Sequence, residues 1–210
     1  FNIVFNQGQV EVTRSDYEIR DRLQASFSKE FTYFNRLKTI VSLAYEGRTG
    51  QPFSYVYGGS SSFAADLNKD GNGSNDVVAV PTGATDSRFD FSGMTSAQQT
   101  AYFAFLQSSG LSKYAGGYAP RNAFTTSWQN RLDLKFTQEV KTVGPVRLEL
   151  FADFINFGAW ISDDLFNYVE TIATSTSNSN QNRALGSATY TAAGLIRPTV
   201  TLNSDGTINF

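Results

Sequence analysis

Trp128–Phe157 reads WQNRLDLKFTQEVKTVGPVRLELFADFINF. Two alternating runs flank a short turn at Gly144-Pro145. In the first, Leu132, Leu134 and Phe136 share one parity, and Arg131, Asp133, Lys135, Thr137 and Glu139 share the other. In the second, Val146, Leu148, Leu150, Ala152 and Phe154 oppose Arg147, Glu149 and Asp153. Side chains of a strand point alternately to opposite faces, so the stretch predicts a β-hairpin with one apolar and one charged surface. What the apolar surface meets, a protein core or lipid, decides the fold.

The same alternation recurs upstream. In Tyr17–Phe31, Ile19, Leu23, Ala25, Phe27 and Phe31 share a parity that Asp21 and Lys29 break near its ends. Leu37–Gly47 puts Leu37, Thr39, Val41, Leu43 and Tyr45 on one face. Phe53, Tyr55 and Tyr57 continue that alternation past an irregularity at Gly50-Gln51-Pro52, where proline signals an edge, a bulge or a strand leaving its sheet. Phe1–Val12 is read as a short strand pair or the end of a loop. Residues 58–126 are not a strand region. Their one helix is predicted over about 95–109, with Thr95 as N-cap and Gln98 at capping-box spacing. Leu165–Thr174 is read as a further strand and the polar run Ser175–Arg183 as a mobile segment. Thr199–Leu202 and Thr207–Phe210 are predicted to pair across Asp205-Gly206.

Composition narrows the class. The 210 residues are 40% hydrophobic and 14% aromatic with a single Met, which favours β structure. Net charge is −2 with no basic block, so nothing points to nucleic acid. There is no Cys and no His, which excludes disulfides, thiol chemistry, Ser-His catalysis and the common zinc sites. No apolar run reaches the roughly 18 residues of a transmembrane helix. Phe1 opens the chain without Met or a leader, so the sequence is read as a mature product or a piece of a longer chain.

Three features favour lipid over a soluble sandwich. The runs are longer than the ~5–6 residues usual in soluble strands and suit the ~9–11 needed to cross a bilayer. Connections are asymmetric: Thr32–Arg36 and Lys141–Pro145 are short, whereas the connection after Tyr57 is long, as between the two sides of an outer-membrane barrel. Aromatics gather near run ends, with Phe31, Tyr33 and Phe34 at one rim and Phe53, Tyr55, Tyr57 and Trp128 at the other, as in membrane girdles. Four long strands cannot close, and an open edge in lipid is not tolerated. The expectation is therefore an all-β fragment of a large antiparallel transmembrane barrel.

Specific stretches sharpen that expectation. DLNKDGNGSNDVVAVPTG (66–83), FSGMTSAQQTAYFAFLQSSGLSKYAGGYAPRNAF (91–124), NRLDLKFTQEV (130–140) and VRLELFADFINFG (146–158) occur in this order, with Ala119-Pro120-Arg121-Asn122 leading into Trp128. In this the chain resembles the C-terminal barrel region of TonB-dependent receptors of the Oar-like type, whose plug is carboxypeptidase-regulatory-like. The resemblance implies the bacterial outer membrane, a barrel of about 22 strands, an N-terminal plug that the TonB energising complex engages, and an unknown extracellular ligand. It implies import or surface interaction and no enzymatic activity. Residues 1–210 are expected to be one partial barrel domain with an external loop over about 58–127. The plug is missing, and only four residues follow Gly206, so the closing strand is expected to be missing too.

Candidate sites follow. Leu132, Leu134, Phe136, Val146, Leu148 and Leu150 are expected to face lipid, and Arg131, Asp133, Lys135, Arg147, Glu149 and Asp153 the lumen. Asp66, Asn68, Asp70 and Asn72 place oxygen donors at alternate positions with Gly71 sixth, the opening of an EF-hand-type calcium loop. Val77 stands where the bidentate Glu belongs, and Asp76 is its substitute. The structural alternative is an Asp/Asn/Gly turn held by its own bonds. Calcium is the only cofactor expected. Asp163-Asp164 beside Trp160 is read as a solvated loop rather than an acid/base pair. Tyr55, Tyr57 and Trp128 are read as girdle anchors rather than a sugar platform. The alternative for the whole chain is a secreted, calcium-stabilised β-sandwich that binds carbohydrate or another protein.

Overall fold

The computed structural model describes residues 12–34, 37–58, 66–71, 73, 75–141, 144, 146–166 and 182–209. The chain is mostly sheet with few helices and is all-β. In order it forms β1 (Arg22–Tyr33), β2 (Leu37–Arg48), β3 (Pro52–Val56), α1 (Ser96–Ser108), β4 (Phe124–Thr125), β5 (Gln129–Lys141), β6 (Arg147–Phe154), α2 (Gly158–Ile161) and α3 (Asp163–Phe166). It ends with β7 (Asn182–Ala184), β8 (Ser187–Tyr190), β9 (Ile196–Thr199), β10 (Thr201–Leu202) and β11 (Ile208–Asn209). Two compact units result. One comprises 19–50 and 126–171; the other comprises 1–18, 51–125 and 172–210.

The first unit is a wall. Its sheet runs β1-β2-β5-β6, all antiparallel. Register brings Phe27, Leu43, Leu134 and Phe154 into one row across all four strands, and Val41, Phe136 and Ala152 into the next. One face is therefore largely apolar, interrupted by Lys29 opposite Val41 and by Thr39, Gln138 and Asn130 near its ends. Leu37 pairs with Val140 and Arg48 with Gln129, so both short turns lie at one end of the sheet and the long excursion leaves from the other. Phe34, at φ 54°, begins the first turn, and Gly144, at φ 87°, lies in the second. Among the described residues, β1 and β6 have no further partner strand, and the sheet is not closed into a barrel.

The second unit has a core of its own. β3 is buried along its whole length, between β4 and a parallel β7. Around it pack Val78, Val80, Tyr102, Leu106 and Leu111, and the Tyr57 hydroxyl donates to the Ala79 carbonyl at 3.0 Å. Helix α1 starts where the capping box places it: Thr95 Oγ1 accepts from Gln98 N–H, and the Gln98 side chain accepts from Thr95 N–H. The hairpin β10–β11 forms across Asp205-Gly206 as predicted.

Several expectations need correcting. Phe53, Tyr55 and Tyr57 do not extend the wall to a rim. They are 4%, 3% and 0% exposed, packed in the second unit's core, so they neither anchor an interface nor offer a sugar platform. The aromatic period of two is the same for a strand buried on both faces. The first strand begins at Arg22 rather than Tyr17, because Tyr17–Asp21 makes no ladder. Asp163–Phe166 is a helical turn, so the strand expected from Leu165 does not start there; its remainder lies outside the described residues. Arg183 is in β7 rather than in a mobile run, whereas 175–181 lie outside the described residues, as does 1–11.

The core of the second unit makes a direct prediction. Leu111 is fully buried. Leu111→Ala should cost about 2–5 kcal/mol, read as lost amide-exchange protection over 77–80 and 102–106. Protection of β2 and β5 should stay at its wild-type level.

Candidate functional site: a two-faced wall and an acidic loop

The apolar face of the wall has polar margins. Toward the short turns, Tyr33 and Thr39 hydroxyls both reach Gln138 Oε1, at 2.9 and 2.6 Å, and each other at 2.7 Å. Toward the opposite end, the Tyr45 hydroxyl and the Trp128 indole N–H both donate to Asn130 Oδ1, at 2.7 and 3.1 Å. Gly47 makes this second cluster possible, since a Cβ there would lie 2.5 Å from the Tyr45 hydroxyl and 2.9 Å from the indole nitrogen. Gln138 and Asn130 are eight residues apart on β5, about 27 Å along the strand at ~3.4 Å per residue. At the roughly 35–45° tilt of outer-membrane barrel strands the same span would rise about 20 Å, against the apolar band of about 25 Å that such barrels present.

Between the margins the face is apolar and open. Phe136 is exposed there, and Leu132 and Leu134 are half-buried. On β6, Leu150 stands opposite Gln138 and Leu148 opposite Val140, so these two and Val146, all exposed, carry the apolar face to the Gln138 margin and past it toward the short turn. The one charge on this face is Lys29, paired with Val41. It sits one same-face row from Thr39, so its stem can lie on the apolar surface with the ammonium at the margin.

The opposite face carries the charges, largely paired across strands. Lys135 meets Asp153 at 3.5 Å and covers the Phe151 ring at 5.0 Å. Lys38 lies 2.9 Å from Glu30 and 4.0 Å from Glu139, and Arg22 lies 3.1 Å from Glu46. Arg131 meets Asp133 at 2.9 Å, and Asp133 also accepts from Asn156 N–H at 2.7 Å. Arg147 and Glu149 stand directly opposite Lys141 and Glu139, like charge to like charge, a pairing that stays cheap only in water.

In the second unit, the acidic loop is folded on itself. Asp66 accepts from Asp70 N–H at 3.0 Å and Gly71 N–H at 2.9 Å, and Asn68 accepts from Asp70 N–H at 2.9 Å. Gly71 has φ 87°, the left-handed turn that the sixth position requires. The Asn75 side-chain amide donates to Asp70 Oδ2 at 2.8 Å, and Asp76 Oδ2 accepts from Leu67 N–H at 2.6 Å. Asp76 is 1% exposed. Burial, with Asp70 and Asp66 nearby, pushes its carboxyl up to about 7. In the metal-free loop, stability is therefore greatest below the ordinary carboxylate range and falls as pH rises through 7. Asn72 lies outside the described residues. No three described His, Cys, Asp or Glu side chains converge on a metal position by themselves.

The remaining candidates separate. Asp163 and Asp164 open α3 directly after Ser162, whose hydroxyl accepts from Leu165 N–H, and Trp160 is exposed at 77%. Trp128 lies at the wall's margin. A second ionic cluster, Asp86 with Arg88, went unforeseen because its partners are mostly backbone. Arg88 donates to the carbonyls of Gly116 at 2.8 Å and Val80 at 3.2 Å, and to Asp86 at 2.7 Å. Asp86 also accepts from Thr82 N–H at 2.8 Å.

No family model, curated protein or solved structure matches the chain. The functional reading therefore rests on this geometry and on the sequence resemblance.

The Asp86 cluster predicts acid sensitivity. The Arg88 guanidinium holds the Asp86 carboxyl well below the usual carboxylate range. That stability is fully present above about pH 4 and is lost as pH falls through the depressed value. Amide protection over 80–90 and 116–118 should drop on acidification from about pH 5 to pH 2. Asp86→Asn should show the weakened protection already at neutral pH, and a much flatter acid response.

Proposed function

We propose that the chain forms part of the wall and external loops of a TonB-dependent receptor in the bacterial outer membrane. The observation that carries this reading is the open apolar face of the β1-β2-β5-β6 sheet with its Tyr/Trp margins, which would lie about 20 Å apart along the membrane normal at barrel tilt. In water, such a face is an aggregation site; against lipid tails it is ordinary. Short turns at one end and a folded excursion at the other give the sheet the sidedness of a barrel. The open edges of β1 and β6 are where neighbouring strands of a larger barrel would pair, because lipid tolerates no unpaired edge.

The wall does no covalent chemistry in this reading. Its charged face, set by Arg131, Asp133, Lys135, Arg147, Glu149 and Asp153, lines a wet lumen and meets the plug. The energising complex displaces that plug during uptake. The second unit combines most of the long connection with residues 1–18 and 172–210 and supplies the surface at which an extracellular ligand would be met. The alternative, a secreted sandwich module, needs a second sheet over the apolar face.

The chain has no cysteine, so single cysteines report cleanly. They are placed at 134, 148, 135 and 149 in the parent receptor, reconstituted in bilayers and labelled with a fluorophore. Probes at 134 and 148 should be quenched by lipid-attached quenchers, and those at 135 and 149 by soluble iodide. Absence of lipid quenching at 134 and 148 contradicts the membrane reading and favours the sandwich.

A further inference from the structure

We propose that Asp66, Asn68, Asp70 and Asp76 bind a calcium ion that ties the acidic loop to strand β3. The inference stands independently of the barrel reading. A self-bonded Asp/Asn/Gly turn explains the contacts of Asp66 and Asn68, and a run of acidic residues alone is no site. Asp76 is what the turn does not explain.

Asp76 is not part of the turn. Its backbone carbonyl accepts from Tyr57 N–H at 2.9 Å, and the next residue bridges Val56, so Asp76 is fixed at the extension of a buried strand. From there its carboxylate reaches back to the loop's first turn, where Oδ2 accepts from Leu67 N–H. The other oxygen, Oδ1, is buried and has no hydrogen-bond partner. Burying an unpaired carboxylate oxygen costs several kcal/mol unless a charge or donor meets it. The nearby carboxylates of Asp66 and Asp70 raise that cost. Lys69, the loop's own cation, is exposed and makes no ion pair with them. The three carboxylates are not gathered on one metal position as they stand; a cation that draws them together removes the repulsion and gives Oδ1 a partner.

The donors decide which cation. All are oxygens: three carboxylates and the Asn68 amide, and the chain has neither Cys nor His. Such sets select hard cations. The donors sit on a turn and a strand edge, at unequal spacings, which suits the variable 6–8-fold shell of calcium better than the strict octahedron of magnesium. Three carboxylates, without the bidentate Glu at position twelve, suit the weaker affinities of about 0.1–1 mM found in extracellular modules. The ion would fasten the loop to the β3 core through Asp76, in place of the missing Glu.

Amide exchange of the protein, in about 5 mM calcium or in chelator, tests this. Calcium should raise protection over 66–80 by roughly six- to fiftyfold, the factor 1 + [L]/Kd for a Kd of about 0.1–1 mM. Magnesium at the same concentration should do less. Asp76→Asn and Asp70→Asn keep their shape but should shift the calcium midpoint at least tenfold higher. Protection of α1 reports whether each variant is folded. Equal protection with calcium and chelator in the wild type, whose α1 is protected, overturns the proposal. So does a midpoint unchanged in both variants. Lipid quenching at 134 and 148 is read separately, so either proposal can fail without the other.

Discussion

Register is the constraint on which the wall depends. Strand side chains alternate with a period of two, so a one-residue slip between neighbours would send every apolar residue of one strand to the charged face. Here the pairing runs Phe27–Leu43–Leu134–Phe154 without an offset. The four strands therefore act as one two-faced surface. The charged face reinforces the same register: Lys135–Asp153 and Lys38–Glu139 join residues directly opposite one another, so a slip would separate them. Polar groups on the apolar face add a further lock. Gln138 serves hydroxyls from both β1 and β2, and Asn130 accepts from Tyr45 and Trp128 across the β2–β5 pair.

The two units are stabilised differently. The wall has long ladders and no buried core, so its apolar face gains little until something covers it. The second unit is the reverse, with short strands and isolated bridges around side chains such as Tyr57, Tyr102, Leu111 and Leu185, all fully buried. Hydrophobic burial holds that unit together without membrane, and Arg88 and Asp86 staple its loop carbonyls. A connection that long needs a core of its own to hold a defined surface.

Local signals were legible in the sequence. The β5–β6 hairpin, the two preceding strands, the capping box of α1 and the Asp-Gly hairpin all depend on neighbours within a few residues. What escaped depends on distant partners. β3 has the same aromatic alternation as the wall strands; its burial follows from pairing with β4 and β7, far away in sequence. Ser54, between its aromatics, is tolerable in a core only because its hydroxyl accepts from Asn122 N–H at 2.8 Å, 68 residues on. Asp76 reads as an imperfect twelfth-position ligand. Its importance appears only when its carbonyl is seen paired with Tyr57, which buries the side chain against the loop.

A nitroxide scan along β5, residue by residue from 129 to 141 in the protein reconstituted in bilayers, tests lipid exposure of the apolar face most directly. Oxygen accessibility should alternate with period two, high at even positions. Its maximum should fall at 134 and 136, declining toward Asn130 and Gln138. A flat profile, or maxima at 131, 133 and 135, would contradict a lipid-facing sheet.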